Sequence, residues 1–156
     1  MIEIFLTKGK STMVDSEDYE LVSQYNWYAS ESEKGRFYAK SYSNGKRLFL
    51  HRVLMNASKG YEVDHINRNT LDNRRKNLRV CTSSQNSQNI SSHKDSTSQH
   101  KGVNWDASRK KWKSRIFVGQ KEMFLGRFYY EHEAAQAYNE AAIKHFGEFA
   151  CLNIIN

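Results

Sequence analysis

Residues 90–100 read Ile-Ser-Ser-His-Lys-Asp-Ser-Thr-Ser-Gln-His, a run with no apolar period and too few hydrophobic side chains to pack. Such a run predicts a linker, placed at residues 91–99. It divides a chain of 156 residues into modules that each bury only a modest core. The expected organisation is a mixed N-terminal lobe over 1–50, a second unit over 51–90, the linker, and a last domain over 100–156.

Before the linker, residues 2–6 alternate as a short strand does and 12–15 suggest another. Asp15-Ser16-Glu17-Asp18 looks like a cap for a helix over 19–24. The aromatic-rich runs 36–42 and 46–52 flank Asn44-Gly45, whose easy positive φ suits a hairpin turn. Tyr25, Trp27, Tyr28, Phe37, Tyr38 and Phe49 read as the core of that hairpin rather than as a base-stacking platform. Residues 62–66 predict a strand, 67–76 a polar loop, 77–82 a returning strand, and Ser83 onward a helix with good capping residues.

After the linker, the runs 102–105, 112–118 and 122–128 predict a three-stranded antiparallel sheet. Residues 131–146 predict a helix, since Ala134, Ala135, Tyr138, Ala141, Ala142 and His145 share one stripe and Gly147 suits the position just past its end.

Charge narrows the partner. The net charge is +7, with 15 Lys and Arg against 11 Asp and Glu up to residue 96, and 9 against 6 beyond it, so both halves favour a polyanion. Two cysteines, Cys81 and Cys151, make neither a disulfide framework nor a thiolate zinc cluster and fit a reducing compartment. No apolar run approaches a membrane span, and Met-Ile-Glu-Ile-Phe-Leu lacks the basic start of a signal peptide. The expectation is a cytoplasmic, unsecreted protein of a bacterial or phage-infected cell.

The chemistry concentrates in residues 51–89. Here stand His51-Arg52, Val63-Asp64-His65-Ile66, Asn77-Leu78-Arg79 and Gln85-Asn86, set on a strand, loop, strand, helix frame. This segment resembles the HNH endonucleases of the phage and intron-encoded branch, whose third motif residue is Asn. The resemblance implies a ββα-metal (His-Me finger) unit in which Asp-His ends the first strand, the middle Asn braces the loop, and the last residue projects from the helix to complete a metal site. Carried over, His65 and Asn77 are the catalytic pair, and Asp64 and Asn86 the metal ligands.

Those residue types suit phosphodiester hydrolysis, which needs a nucleophile from water, neutralised phosphate charge and a stabilised leaving oxygen. A neutral His65 can take the proton from water. Asp64 and Asn86 offer hard oxygens, and Mg²⁺ (or Mn²⁺) would be held by these, waters and a substrate phosphate. Asn77 positions rather than reacts. Arg68, Arg74, Arg75, Lys76 and Arg79 flank the site as candidate phosphate contacts. His51 stays open between a core histidine, a loop brace and a phosphate contact.

The last third resembles the plant ethylene-response-factor DNA-binding domain through His100-Lys101-Gly102-Val103, Lys111-Trp112, Leu125-Gly126-Arg127-Phe128, residues 133–138, and Phe146-Gly147 with Leu152-Asn153. It implies a three-stranded sheet packed on one helix, with the sheet in the major groove. The DNA-facing residues would be Lys101, Asn104, Trp105, Lys113, Arg115, Phe117 and Phe124. Asn104-Trp105 and Phe124 depart from the plant pattern, so the plant target sequence is not implied.

The whole is an α+β reading: an HNH nuclease unit on an N-terminal mixed lobe, plus the sheet-on-helix domain. It would be a monomer hydrolysing double-stranded DNA, of the homing or mobile-element kind, with neither a membrane nor a small-molecule substrate. A DNA-binding regulator with an inactive HNH unit, a structural nucleic-acid binder and an RNA nuclease are the competing readings.

Overall fold

The alternating segments of the first half form short antiparallel ladders joined by tight turns. In the computed structural model, which describes residues 1–33, 35–89 and 96–155, β1 (Ile2–Phe5) pairs with β2 (Ser11–Val14). Residues 91–95 of the expected linker lie outside the described residues. A 3-10 turn leads into the one-turn helix α1 (Tyr19–Val22). Asp15 does not cap that turn through its side chain; its carboxylate instead accepts the Arg75 amide at 2.8 Å.

A second sheet carries β3 (Tyr28–Glu31), β4 (Phe37–Ser43) and β5 (Lys46–Phe49) in that order, with Asn44-Gly45 at the β4–β5 turn, where φ is 49° and 73°. β3 was not foreseen in the sequence, since its few residues become a strand only by pairing along β4. The strand expected over 46–52 is corrected: it ends at Phe49, and α2 (Leu50–Met55) begins at once, closed by Asn56 in the left-handed region. Leu50 and Leu54 of α2 are buried in the core, which helical spacing achieves and strand alternation would not.

β6 (Glu62–His65) and β7 (Leu78–Cys81) make a two-stranded ladder, followed by α3 (Ser83–Gln88). Thr82 and Gln85 form a reciprocal cap at the start of α3. The Gln85 amide donates to Thr82 Oγ1 at 3.2 Å and the Thr82 amide to Gln85 Oε1 at 2.8 Å. One core serves this whole first half, joining Val14, Val22, Trp27, Ala39, Leu50, Leu54, Val63 and Leu78. Trp27 belongs to that core and Tyr25 packs against it. Tyr38 and Phe49 instead gather around His51, as described below.

The chain divides into two units, Met1–Asn86 and Ser87–Asn156. In the second, β8 (Val103–Asp106), β9 (Lys111–Val118) and β10 (Lys121–Phe128) form an antiparallel sheet with β9 central, and α4 (Glu131–Phe146) packs on one side of it. Ala134, Ala135, Tyr138 and Ala142 are the buried stripe of α4, meeting Val103 and Ile116. The approach is close at Gly102, where a Cβ would stand 2.2 Å from the Tyr138 ring, and the backbone has φ +76°.

Candidate active site

The loop between β6 and β7 is stitched by its own amides. The Asn69 amide donates to Asn67 Oδ1 and the Leu71 amide to Asn69 Oδ1, at 2.8 and 3.1 Å, successive local turns of the kind Asn favours. Asn67 Nδ2 donates to Asp72 at 2.8 Å, and Arg74 grips the same carboxylate at 2.6 Å. The Arg74 guanidinium above all holds the Asp72 carboxyl below the usual carboxylate range. Asn77 spans the loop: its Oδ1 accepts the Asn67 amide at 2.9 Å and its Nδ2 donates to the Asp72 carbonyl at 2.7 Å. The side chain is therefore placed as a brace with both ends used.

Side chains alternate along β6, so Val63 and His65 turn to one side and Glu62 and Asp64 to the other. On the first side, His65 is 4 % exposed and lies against His51 with ring centroids 5.1 Å apart in an edge-on arrangement. Tyr38 meets both imidazoles, at 5.8 and 6.5 Å, and Phe49 meets His51 at 5.5 Å. His65 Nε2 is 3.1 Å from Asn73 Oδ1. Burial lowers the His65 pKa, opposed by the Asn73 hydrogen bond and by Asp64 and Asp72. Burial also pushes His51 down to about 3, helped by the neighbouring His65 and Arg52. Both rings are thus held neutral near pH 7, the form in which an imidazole accepts a proton.

On the other side, Asp64, which is buried, carries its cross-strand partner Arg79 at 2.6 Å. Asn86 reaches back from α3 and donates through Nδ2 to the Glu62 carboxylate. Asp64 and Asn86, expected to share one ligand set, are each engaged by a different partner, Arg79 and Glu62. Sequence reasoning missed Glu62, Asn73 and Thr12, and left His51 open. The signal for Glu62 was its position two residues before Asp64, which puts both on one strand face.

Among the described residues no three His, Cys, Asp or Glu side chains gather in a group able to hold a metal ion. The oxygens on the Asp64 face, two carboxylates and the Asn86 amide carbonyl, are of the hard kind a Mg²⁺ or Mn²⁺ ion takes when it keeps waters and adds a substrate phosphate. The residues fit such an ion, provided it displaces or shares the Arg79 contact.

Of the flanking cations, Arg74 is paired with Asp72 and Arg75 with Asp18 at 2.7 Å, while Arg68 and Lys76 are exposed on the loop. No helix among the described residues is long and apolar enough to cross a membrane.

In the second unit, the register assigns side chains to the two sides of the sheet. Asn104 pairs with Lys113, Arg127 with Lys113, Phe124 with Arg115, and Glu122 with Phe117, so these share the side away from α4. A bulge between Phe124 and Gly126 lets Phe124 and Arg127 both face outward. The guanidinium of Arg127 lies over Phe124 at 4.9 Å and that of Arg115 over Phe117 at 5.8 Å. Glu122 bonds Arg115 at 3.0 Å and approaches Lys113 at 3.5 Å, and Asp106 holds Arg127 at 2.8 Å. Arg127, absent from the expected set, completes this outer face.

Two of the expected residues lie on the other side of the sheet. Trp105 pairs with Trp112 and stacks edge-on against it at 5.1 Å, which puts it on the α4 side of the sheet. Lys101 donates to the Gln88 carbonyl at 2.7 Å and lies 6.0 Å over the Tyr138 ring, also toward the helix.

A family model described as HNH endonuclease matches residues 49–88, the span from the end of β5 to α3. An uncharacterized HNH endonuclease of Acanthamoeba polyphaga mimivirus is 34% identical over 155 residues, covering 96% of this chain and 78% of that protein. Protein 3.8 of Escherichia phage T7 is 36% identical over 70 residues, covering 44% of this chain and 58% of that protein.

Proposed function

The chain belongs to the HNH endonuclease family, and from that premise we propose that it is a DNA endonuclease in which His65 activates water at a site completed by Asp64, Asn77 and Asn86. What supports this reading is a buried, hydrogen-bonded imidazole, held neutral, at the end of the same strand in which Asp64 immediately precedes it and to which Asn86 reaches back from α3. A divalent cation, Mg²⁺ or Mn²⁺, held by Asp64 and Asn86 would neutralise charge on the phosphate and on the departing 3′-oxygen.

The protein's own residues do the rest. His65 takes a proton from water, and the water oxygen forms its bond to phosphorus as the P–O3′ bond breaks. The 3′-oxygen leaves and gains a proton from solvent water, giving 5′-phosphate and 3′-hydroxyl ends. Asn77 keeps the loop from collapsing over the site. Arg79 is a cation already beside Asp64 and would be at hand for a substrate phosphate bound on that side.

The second unit, a three-stranded sheet on one helix that we read as of the ethylene-response-factor type, positions duplex DNA through Asn104, Lys113, Arg115, Phe117, Phe124 and Arg127. Arg68 and Lys76 add phosphate contacts beside the site. A separate module for positioning fits a site-specific enzyme of the homing or mobile-element kind acting as a monomer.

A substrate panel tests the proposal: supercoiled plasmid, linear duplex, single-stranded DNA and RNA, each with Mg²⁺, Mn²⁺ or EDTA. Divalent-dependent cutting of duplex DNA is the expected result. Binding without cutting in every ion favours a regulator with a relic site, and preferential cutting of RNA changes the substrate.

A further inference from the structure

The imidazole of His65 is the end of a buried chain of hydrogen bonds that starts at a backbone carbonyl. Thr12 Oγ1 lies 2.7 Å from the Leu71 carbonyl oxygen, Asn73 Nδ2 lies 2.7 Å from Thr12 Oγ1, and Asn73 Oδ1 lies 3.1 Å from His65 Nε2. Thr12 and Asn73 are 0 % and 1 % exposed, so water does not compete for these groups.

Each link has a direction forced on it. A carbonyl oxygen only accepts, so the Thr12 hydroxyl spends its one proton on Leu71. Thr12 Oγ1 then has only lone pairs left for Asn73, which must turn its amide N–H toward it. That turns Asn73 Oδ1, again only an acceptor, toward His65. The backbone reinforces the arrangement, because the Met13 amide donates to the Leu71 carbonyl at 2.9 Å and the Asn73 amide to the Met13 carbonyl at 2.8 Å, fixing β2 beside the loop.

We propose that Thr12 and Asn73 are positioning residues that fix the ring of His65 in the tautomer with its proton on Nε2. The cleavage arm of the test rests on the nuclease reading; the tautomer does not. The sequence hid this because Thr12 lies in a different strand from the HNH segment and reaches it only through tertiary pairing.

The test is the two-bond ¹H–¹⁵N spectrum of the histidines in the full chain at neutral pH, with His65 assigned from its absence in His65→Gln. The expected wild-type pattern is a protonated Nε2 and an unprotonated Nδ1. The opposite tautomer, or an averaged pair of nitrogens, overturns the proposal. Thr12→Val keeps the shape but removes the hydroxyl, freeing Asn73 to turn; the expected result is a mixed tautomer, and Thr12→Ser restores the wild-type pattern. An unchanged pattern in Thr12→Val contradicts the role of Thr12. If Thr12→Val does not fold, the wild-type spectrum still decides the tautomer. In cleavage assays Thr12→Val lowers kcat by about ten- to a hundred-fold with the KM for DNA unchanged, while Thr12→Ser stays near wild type. A wild type that never cuts would end the nuclease reading yet leave the tautomer to the spectrum.

Discussion

The carboxylate of Asp64 is closed by the guanidinium of Arg79 at 2.6 Å, across the β6–β7 ladder and out of solvent. A buried carboxylate left without its cation loses about 3 kcal/mol, because the remaining charge is desolvated and unpaired. Arg79→Ala is expected to lose about that much stability in urea unfolding. Because a divalent ion can then take the place of the guanidinium, added Mg²⁺ should raise the Tm of Arg79→Ala more than that of wild type. Equal Mg²⁺ responses in the two proteins count against Asp64 as a ligand.

The His51 ring carries a pH prediction. Its folded pKa of about 3 lies below the ordinary 6.5, so the unfolded chain binds a proton that the folded chain refuses between those values. Stability is therefore fully present above pH 6.5 and falls as pH drops toward 3, by up to about 1.4 kcal/mol per pH unit from this group. His51→Phe keeps a ring against Tyr38, Phe49 and His65 and should flatten the stability profile between pH 5 and 6.5. A profile as steep as wild type assigns the slope to other groups.

Most of the architecture was legible where the hydrophobic period or a turn signal was local. Asn44-Gly45, the alanine stripe of α4 and the three strands of the second unit all stand close to where their residues placed them. Tertiary choice was not legible. Leu50 and Leu54 draw residues 50–55 into a helix because the core lies under that spacing, although the aromatic run before them reads as strand. The same limit holds at the site. The Asp64 to Asn86 constellation stands out by residue type, while Glu62, Thr12 and Asn73 matter through partners distant in sequence. Trp105 looked like a base contact by position alone, and only the register with Trp112 moves it to the helix side.

Asn77 is 6 % exposed with both ends of its amide used, on the Asn67 N–H and the Asp72 carbonyl. Asn77→Ala strands two backbone groups and should cost about 2 kcal/mol in chemical denaturation. Cleavage should fall with it, since the loop also carries Asn73. A variant with wild-type stability and lost activity would make Asn77 a chemical rather than a bracing residue.

The outer face of the second unit predicts a salt signature. Lys113→Ala and Arg115→Ala should each weaken duplex binding and lower the slope of log K against log[salt] by about 0.9. Glu122 occupies both cations, at 3.5 and 3.0 Å, so Glu122→Gln should tighten binding. Anisotropy titrations from low to high salt measure all three, and slopes equal to wild type would move the DNA to another surface.

In the proposed mechanism His65 does the chemistry and does not hold the DNA. Wild type and His65→Ala, matched for duplex affinity in EDTA, are compared for cleavage of supercoiled DNA on adding Mg²⁺ or Mn²⁺. Equal binding, cutting by wild type, and a loss of about a hundred-fold or more in His65→Ala are expected. Cutting at the wild-type rate by His65→Ala would contradict the mechanism.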